Sequence, residues 1–468
     1  MAFSSNIFLF LFLPLVIAGY HILRKELRNV FLLAASLAFF AWAELKAVPV
    51  LLAVIAISYF GALLIGKMGK GAAAKAVLAL AVVLDAGILV YFKYTNFLID
   101  TVNHVAGASI AMRDIVLPVG ISFFVFQSIS YLTDVYRQKV QPQRSLVKTA
   151  LYFAFFPKLT QGPIMRYGDM EAELSERSTS GEDMAEGVVR FVVGLTKKLL
   201  IADTLGAVAD PIFALDPSGM NAALAWGGIL AYSLQIYFDF CGYTDMAIGL
   251  GRMFGFHLTE NFNYPYISRS ITEFWRRWHI SLSSWFKDYI YIPLGGNRRG
   301  NQYFNLSVVF LVTGIWHGSA WNFIVWGVFH GAFNMLEKVL MKKGLHQKIP
   351  AMVQWAVTML LVMVGWVFFR ASSLTGALEY IAAMFGMAQG AAVQYRLGWF
   401  YTNKVALITV IGLLAAVPWA KFFPKAAKAL DGTYLWLSVR FVAVIVMLAL
   451  SVMLAMTSTY TSFIYFQF

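Results

Sequence analysis

One cysteine, Cys241, is all the chain has, so neither a disulfide framework nor a cysteine-based metal site can be built from it. Charge is scarce as well: Asp, Glu, Lys and Arg make up 13% of the 468 residues, roughly half the share of an ordinary soluble domain. Acidic side chains are the scarcer, 24 against 37 Lys and Arg. No GxxxxGK[ST] loop, HExxH pair or GxSxG elbow occurs, which argues against an ATP-driven pump, a zincin and a serine hydrolase. Nothing repeats at a solenoid period, no tract is of low complexity, and no long extramembrane domain stands out.

What fills the chain is apolar surface: 60% hydrophobic residues and 40 Phe, a composition that rules out a water-soluble globule and implies contact with membrane lipids. The expectation is one membrane domain over 1–468, all-α and polytopic. Stretches free of Asp, Glu, Lys and Arg lie at 47–66, 115–133, 218–238, 301–336, 349–369 and 441–468. Shorter or once-interrupted ones lie at 29–43, 76–92, 149–157, 242–251 and 405–420. With a first span at 5–22, expected to be retained because no basic n-region precedes it, about eleven or twelve membrane elements result, several too short to cross alone.

The formal charge of +13 sits in clusters between these runs, the pattern of cytoplasmic loops and not of a nucleic-acid surface. Loops after the first, third and fifth spans carry Arg24, Lys25 and Arg28; Lys67, Lys70 and Lys75; and Arg137, Lys139, Arg144 and Lys148. Alternate loops carry Lys46, and Lys93 with Arg113, which predicts an extracytoplasmic N-terminus. Past residue 148 the alternation fails: the run ending at Phe156-Pro157 is short enough to be re-entrant. Residues 166–183 read as a solvated loop. A helix over 184–210, with Arg190 and Lys197 on one face, fits an interfacial helix at least as well as a span.

Ionisable groups inside apolar runs are costly, and the list is short: Asp85, Asp239, Asp245, His317 and His330. His317, in VTGIWHGSAWN between Gly314 and Gly318, predicts a helix break that exposes backbone toward a cavity. A buried ring there is expected to be neutral and able to take a proton from a hydroxyl, with a hydrogen bond to a neighbouring helix as the plain alternative. His330 reads as structural, and no third ligand at a usable spacing supports a metal site. Asp239 and Asp245 flank Gly242, read as a break whose half-helices they cap or whose polar path they line. A single hydrogen bond is expected to satisfy Asp85. In 269–299, Trp275, Trp278, Leu282 and Phe286 fall on one face at helical spacing, with Arg276, Arg277 and Lys287 off it, predicting an amphipathic helix on the cytoplasmic leaflet. These features leave an intramembrane transferase or a secondary transporter as the open classes.

Long strings of polar and aromatic residues, in order, narrow that choice. They are FSSNIFLFLFLPLV at the N-terminus, LPVGISFFVFQSISYLTDVYR at 117–137, FFPKLTQGPIMRY at 155–167, and LQIYFDFCGYTDMAIGLGRMFGF at 234–256. ENFNYPYISRSITEFWRRWHISLSSWFKDYIYIPLGGNR at 260–298 and GIWHG at 314–318 follow. The chain resembles the membrane-bound O-acyltransferase family, in its bacterial alginate O-acetyltransferase-like branch, up to about residue 340; beyond that only hydropathy and WVFFRA at 366–371 match. The resemblance implies N-terminal spans over 1–148, a catalytic core over 149–340 and C-terminal spans over 341–468, with tilted helices around a central tunnel. It implies His317 and His279 as catalytic residues, and Asn263 and Asp239 in family-like strings with less defined substrate-binding roles. It also implies Trp275, Arg276, Arg277 and Trp278, with Arg298 and Arg299, at a cytoplasmic mouth that attracts acetyl-CoA, another acyl thioester or an acidic acyl carrier protein. No permanently bound cofactor is implied. An extracytoplasmic acetyltransferase partner in polysaccharide modification is, and so is a place for this chain in the inner membrane of a bacterium. Peptidoglycan O-acetylation and D-alanyl transfer to teichoic acid are the alternatives within the family.

Overall fold

The computed structural model describes residues 2–388, 395–458 and 460, and all regular structure among them is helical. The end of the 441–468 run, 459 and 461–468, lies outside the described residues. The chain is an all-α polytopic membrane protein. By length and composition, the helical runs Lys25–Met68, Ala72–Ala106, Ala351–Arg370 and Tyr434–Thr457 can cross a bilayer, and Phe8–Ile22, Leu374–Met384 and Asn403–Ala415 are shorter apolar helices. Two compact units form, one of Met1–Phe191 with Tyr243–Thr259, the other of Val192–Gly242 with Glu260–Phe468.

The first unit contains α1 (Leu13–Ile22), α2 (Arg28–Glu44), α3 (Val48–Met68), α4 (Ala72–Ala106), α5 (Ile121–Tyr136), α6 (Leu146–Ala154), α7 (Phe156–Leu159) and α8 (Tyr167–Ser175). The expected span at 76–92 is the middle of α4, whose 35 residues extend about 50 Å. The span expected at 115–133 starts later, at Ile121, because Pro118 and the left-handed Gly120 (φ 77°) hold the preceding segment out of helix. Where α3, α4 and α5 meet, Ser128 donates to the Asp85 carboxylate at 2.5 Å, and Ser58 and Ser128 share a hydrogen bond at 2.6 Å. Asp85 is thus met by a hydroxyl, as expected. The 149–157 run is broken at Phe155 into α6 and the one-turn α7. On α7 the buried Lys158 ammonium donates to Gln127 at 2.6 Å and stands 4.4 Å above the Tyr152 ring.

Next come α9 (Gly181–Thr196), a π turn at Lys197–Ala202, α10 (Asp203–Phe213) and α11 (Ala222–Met253). In the stretch 184–210, Arg190 pairs with Asp245 at 2.6 Å, and the π turn directs Lys198 inward. In the second unit Lys198 lies 2.5 Å from Asp203 and 2.8 Å from Asp239, all three buried. Nor does Gly242 break its helix, since α11 runs uninterrupted through it. A Cβ at Gly242 would come within 2.7 Å of the Gly194 carbonyl oxygen, so glycine is there for close helix approach. Asp239 and Asp245 therefore neutralise cations on the preceding helical run instead of capping half-helices.

The second unit continues with α12 (Ile271–Arg277), α13 (Ile280–Phe286), α14 (Gln302–His317), α15 (Trp321–Lys342), α16 (Ala351–Arg370), α17 (Leu374–Met384), α18 (Asn403–Ala415), α19 (Trp419–Phe422), α20 (Pro424–Leu430) and α21 (Tyr434–Thr457). The predicted break in 301–336 is found. α14 ends at His317, Gly318 is extended, and α15 turns back against α14. Gly314 and Gly327 face each other across this hairpin; a Cβ on either would lie 2.5–2.6 Å from the opposite carbonyl, so only glycine allows so close an approach.

Candidate active site

His317 occupies the last position of α14, and its ring is held by three aromatic side chains. Its centroid lies 4.8 Å from Trp316, 4.8 Å from Trp326 on α15 and 5.2 Å from Phe369 on α16, each edge-on. Asn322, just past the break, donates to the carbonyls of Phe368 and Ala371, which ties the hairpin to the end of α16. The cage follows from the chain reversal: the turn at Gly318 brings Trp326 back beside the final turn of α14.

The segment 269–299 is not the single amphipathic helix its spacing predicts. Ser270 and Glu273 cap α12 reciprocally, Ser270 Oγ accepting the Glu273 N–H and Glu273 accepting the Arg269 N–H. The Glu337 carboxylate of α15 takes the Ile271 N–H at 2.6 Å, anchoring the start of α12. The helix then stops because His279 adopts a left-handed backbone (φ 47°, ψ 54°), and α13 begins after it. That conformation is costly for a residue with a Cβ and clusters at functional positions. It faces the fully buried His279 ring into Phe240 at 4.7 Å and Trp316 at 6.0 Å. The two histidines named at the outset thus share one tryptophan, Trp316.

What holds His279 is Asn261, which sequence reasoning passed over in favour of Asn263. Asn261 Oδ1 accepts the Ser281 backbone N–H at 3.1 Å and the Ser281 hydroxyl at 2.9 Å, with His279 Nδ1 at 3.2 Å. An atom that receives a backbone N–H is the amide oxygen, so the His279 contact requires hydrogen on Nδ1. In the neutral ring Nε2 then carries the lone pair. Asn263 is exposed; its N–H donates to the Arg277 carbonyl, and its own carbonyl accepts from Arg277 Nη1. Asn261 is buried and Asn263 exposed, a difference that two asparagines two residues apart do not announce in the sequence.

The other proposed contacts divide. Arg276 is exposed beside a cavity of about 200 Å³, whose wall includes Trp275, Phe286, Lys287, Tyr291, Asn334 and Lys338. On α14 its nearest wall residue to His317 is Thr313, one turn earlier, and Trp275 carries the wall to Trp326 at 5.6 Å between ring centroids. Lys338, past the end of the apolar run, is held below the usual lysine range, first by burial and then by the like charge of Arg276. Arg277 is committed elsewhere, paired with Glu273 at 2.9 Å. Trp278 is packed among Phe262, Phe274 and Trp366 and serves the core. Asp239 belongs to the Lys198 triad. Arg298 and Arg299 are exposed. His330 is enclosed by Phe274, Trp275 and Trp326, with Gly365 against its Nε2, a packed position as expected.

Residues 141–374 match the membrane-bound O-acyltransferase family. The chain is 42% identical over 504 aligned residues to the protein named "Probable alginate O-acetylase AlgI" in Azotobacter vinelandii, covering all of both chains. It is 36% identical to the peptidoglycan O-acetyltransferase of Helicobacter pylori over 83% of this chain and 80% of that one. To the teichoic acid D-alanyltransferase of Bacillus subtilis it is 29% identical over 47% of this chain and 59% of the relative.

Proposed function

We propose that this chain, which belongs to the membrane-bound O-acyltransferase family and is an O-acyltransferase, passes an acetyl group from a cytoplasmic thioester through a bacterial inner membrane toward an extracytoplasmic polysaccharide. Acceptance is either direct or through an extracytoplasmic acetyltransferase partner. The arrangement that carries this reading is His317 in its aromatic cage, one helical turn above a cavity ringed by Arg276, Lys287 and Lys338. The slot suits the narrow thioester arm of acetyl-CoA, with the phosphates at the cationic rim. Loop charges favour an N-terminus outside the cytoplasm.

In the reaction, the acceptor hydroxyl oxygen adds to the thioester carbonyl while its proton passes to His317. The C–O bond forms, the C–S bond breaks, and the proton returns from His317 to the departing sulfur. His279, with hydrogen on Nδ1 and a lone pair on Nε2, accepts a hydrogen bond from a second, neighbouring hydroxyl of the polysaccharide and so orients the reacting one, whose single hydrogen goes to His317; it is not placed to donate to an oxyanion. Trp275 and Trp326 stand between cavity and His317, so the thioester arm enters by displacing these rings.

The acetyl reading draws on the full-length match to alginate-type relatives, against the partial match to the D-alanyl branch. Membranes containing this protein are supplied with radiolabelled acetyl-CoA, or with carrier protein loaded with D-alanine, and exported polysaccharide is analysed by mass spectrometry. Acetyl esters from acetyl-CoA on an exopolysaccharide are expected. D-alanyl esters with no acetyl turnover, or esters confined to peptidoglycan, replace this reading with its alternatives.

A further inference from the structure

A second cationic site lies in the first unit, in a cavity of about 550 Å³ between the α1–α2 connection and the end of α8. Lys25, Arg28, Asn29 and Arg177 line it, with Ser175 and Ser178. Two guanidiniums converge on one ring: the Arg28 and Arg177 carbons lie 4.8 Å and 5.5 Å from the Tyr20 centroid. Like charges gathered this closely need an anion, yet among the described residues none of the three cations is in an ion pair. Glu173, one helical turn before Arg177, faces His257 at 2.8 Å and gives Arg177 only its backbone carbonyl. Glu26 and Glu176 line the same cavity and do not bridge to the cations.

Arg177 is fixed in place by the protein. Its Nε donates to the Tyr20 hydroxyl at 2.9 Å and the Phe254 carbonyl at 3.0 Å, and its Nη1 to Asn29 at 2.7 Å. Nη2 is buried and has no hydrogen-bond partner among the described residues. Three of the guanidinium's five N–H donors are spent on fixing the side chain and the two on Nη2 are shielded, so Arg177 offers the cavity its fixed positive charge. The flanking surface says what kind of ligand. Ile22, the last residue of α1, and Leu27 are 83% and 50% exposed beside these cations, so apolar contact adjoins the charge at the end of a membrane helix.

We propose that this cavity is a headgroup site for an anionic phospholipid, whose phosphate meets Lys25 and Arg28 beside the fixed charge of Arg177 while its acyl chains lie along Ile22 and Leu27. A free phosphate would satisfy the cations and leave the apolar rim without purpose; a zwitterionic lipid would cover the rim and bring its own cation to a site that already holds three.

The full chain, purified in detergent, is titrated with phosphatidylglycerol, phosphatidylcholine or inorganic phosphate and read by native mass spectrometry. One phosphatidylglycerol is expected to stay bound, at least tenfold in preference to phosphatidylcholine. The double variant Lys25→Gln, Arg28→Gln should weaken it by roughly 30-fold, at about fivefold per basic residue. Should that variant fail to fold, Glu26→Gln with Glu176→Gln, which keeps all three cations and removes the countercharge, should tighten binding. Equal retention of the two lipids, displacement of phosphatidylglycerol by millimolar phosphate, or no change in either variant overturns the proposal.

Discussion

Replacing Asn261 with alanine removes the oxygen that receives the Ser281 N–H, the Ser281 hydroxyl and the Nδ1 hydrogen of His279. The backbone N–H is fixed and buried, so its loss of a partner costs about 1–3 kcal/mol. The hydroxyl can rotate to another acceptor, and the imidazole can move its proton to Nε2, so these two losses are partial. A net destabilisation of about 2–4 kcal/mol follows. Activity should suffer more than stability, because a ring free to carry its proton on Nε2 no longer offers a lone pair to the second hydroxyl that orients the acceptor. Loss of that orientation lowers kcat on the order of 100-fold. The donor slot at Arg276 is built from other residues, so KM for the thioester should stay within about twofold of wild type. The control is Ser281→Ala, which removes one of the three contacts and keeps the His279 tautomer; it should retain most of its turnover. Membranes with matched protein levels, assayed for kcat and KM alongside a thermal melt, decide the matter. An Asn261→Ala protein with near wild-type kcat refutes the tautomer argument, and so does one in which KM and kcat change together in proportion.

Two further changes probe the mouth and the core. Arg276→Gln with Lys338→Gln should raise KM for acetyl-CoA about tenfold or more with kcat little altered, and the effect should shrink as salt rises; a salt-independent fall in kcat alone would speak against phosphate attraction. Lys198→Met strips the cation shared by the buried Asp203 and Asp239 and should cost about 3–5 kcal/mol, seen as lost expression, whereas Lys198→Met with Asp203→Asn and Asp239→Asn should recover much of it. Wild-type levels of the single variant would show that the triad carries no stability.

The helical, membrane-crossing character was legible from apolar run lengths, and the chain reversal after His317 from its flanking glycines. Those signals are local: the backbone either finds its hydrogen bonds within a helix or reveals where it does not. Features that depended on tertiary partners were misread. Gly242 has the same sequence signature as a helix break, and only the Gly194 carbonyl beside it shows that its missing Cβ serves close approach. Asp239 and Asp245 look like caps until their cations, Lys198 and Arg190 on the preceding helical run, are in view. The periodicity of Trp275, Trp278, Leu282 and Phe286 suggested one helix because spacing carries no trace of a left-handed residue at His279. Arg276 was placed at a donor mouth by the family resemblance, but Lys338, Lys287 and Thr313 reach the same cavity from other elements, and no sequence pattern joins them.

Everything in the proposed chemistry passes through the imidazole of His317. The most direct test compares acetyl transfer from acetyl-CoA in membranes holding equal amounts of folded wild-type protein and of His317→Ala or His317→Gln. The account predicts a loss of at least about 100-fold in both variants, with thermal melts close to wild type. Transfer at a normal rate in either variant contradicts it.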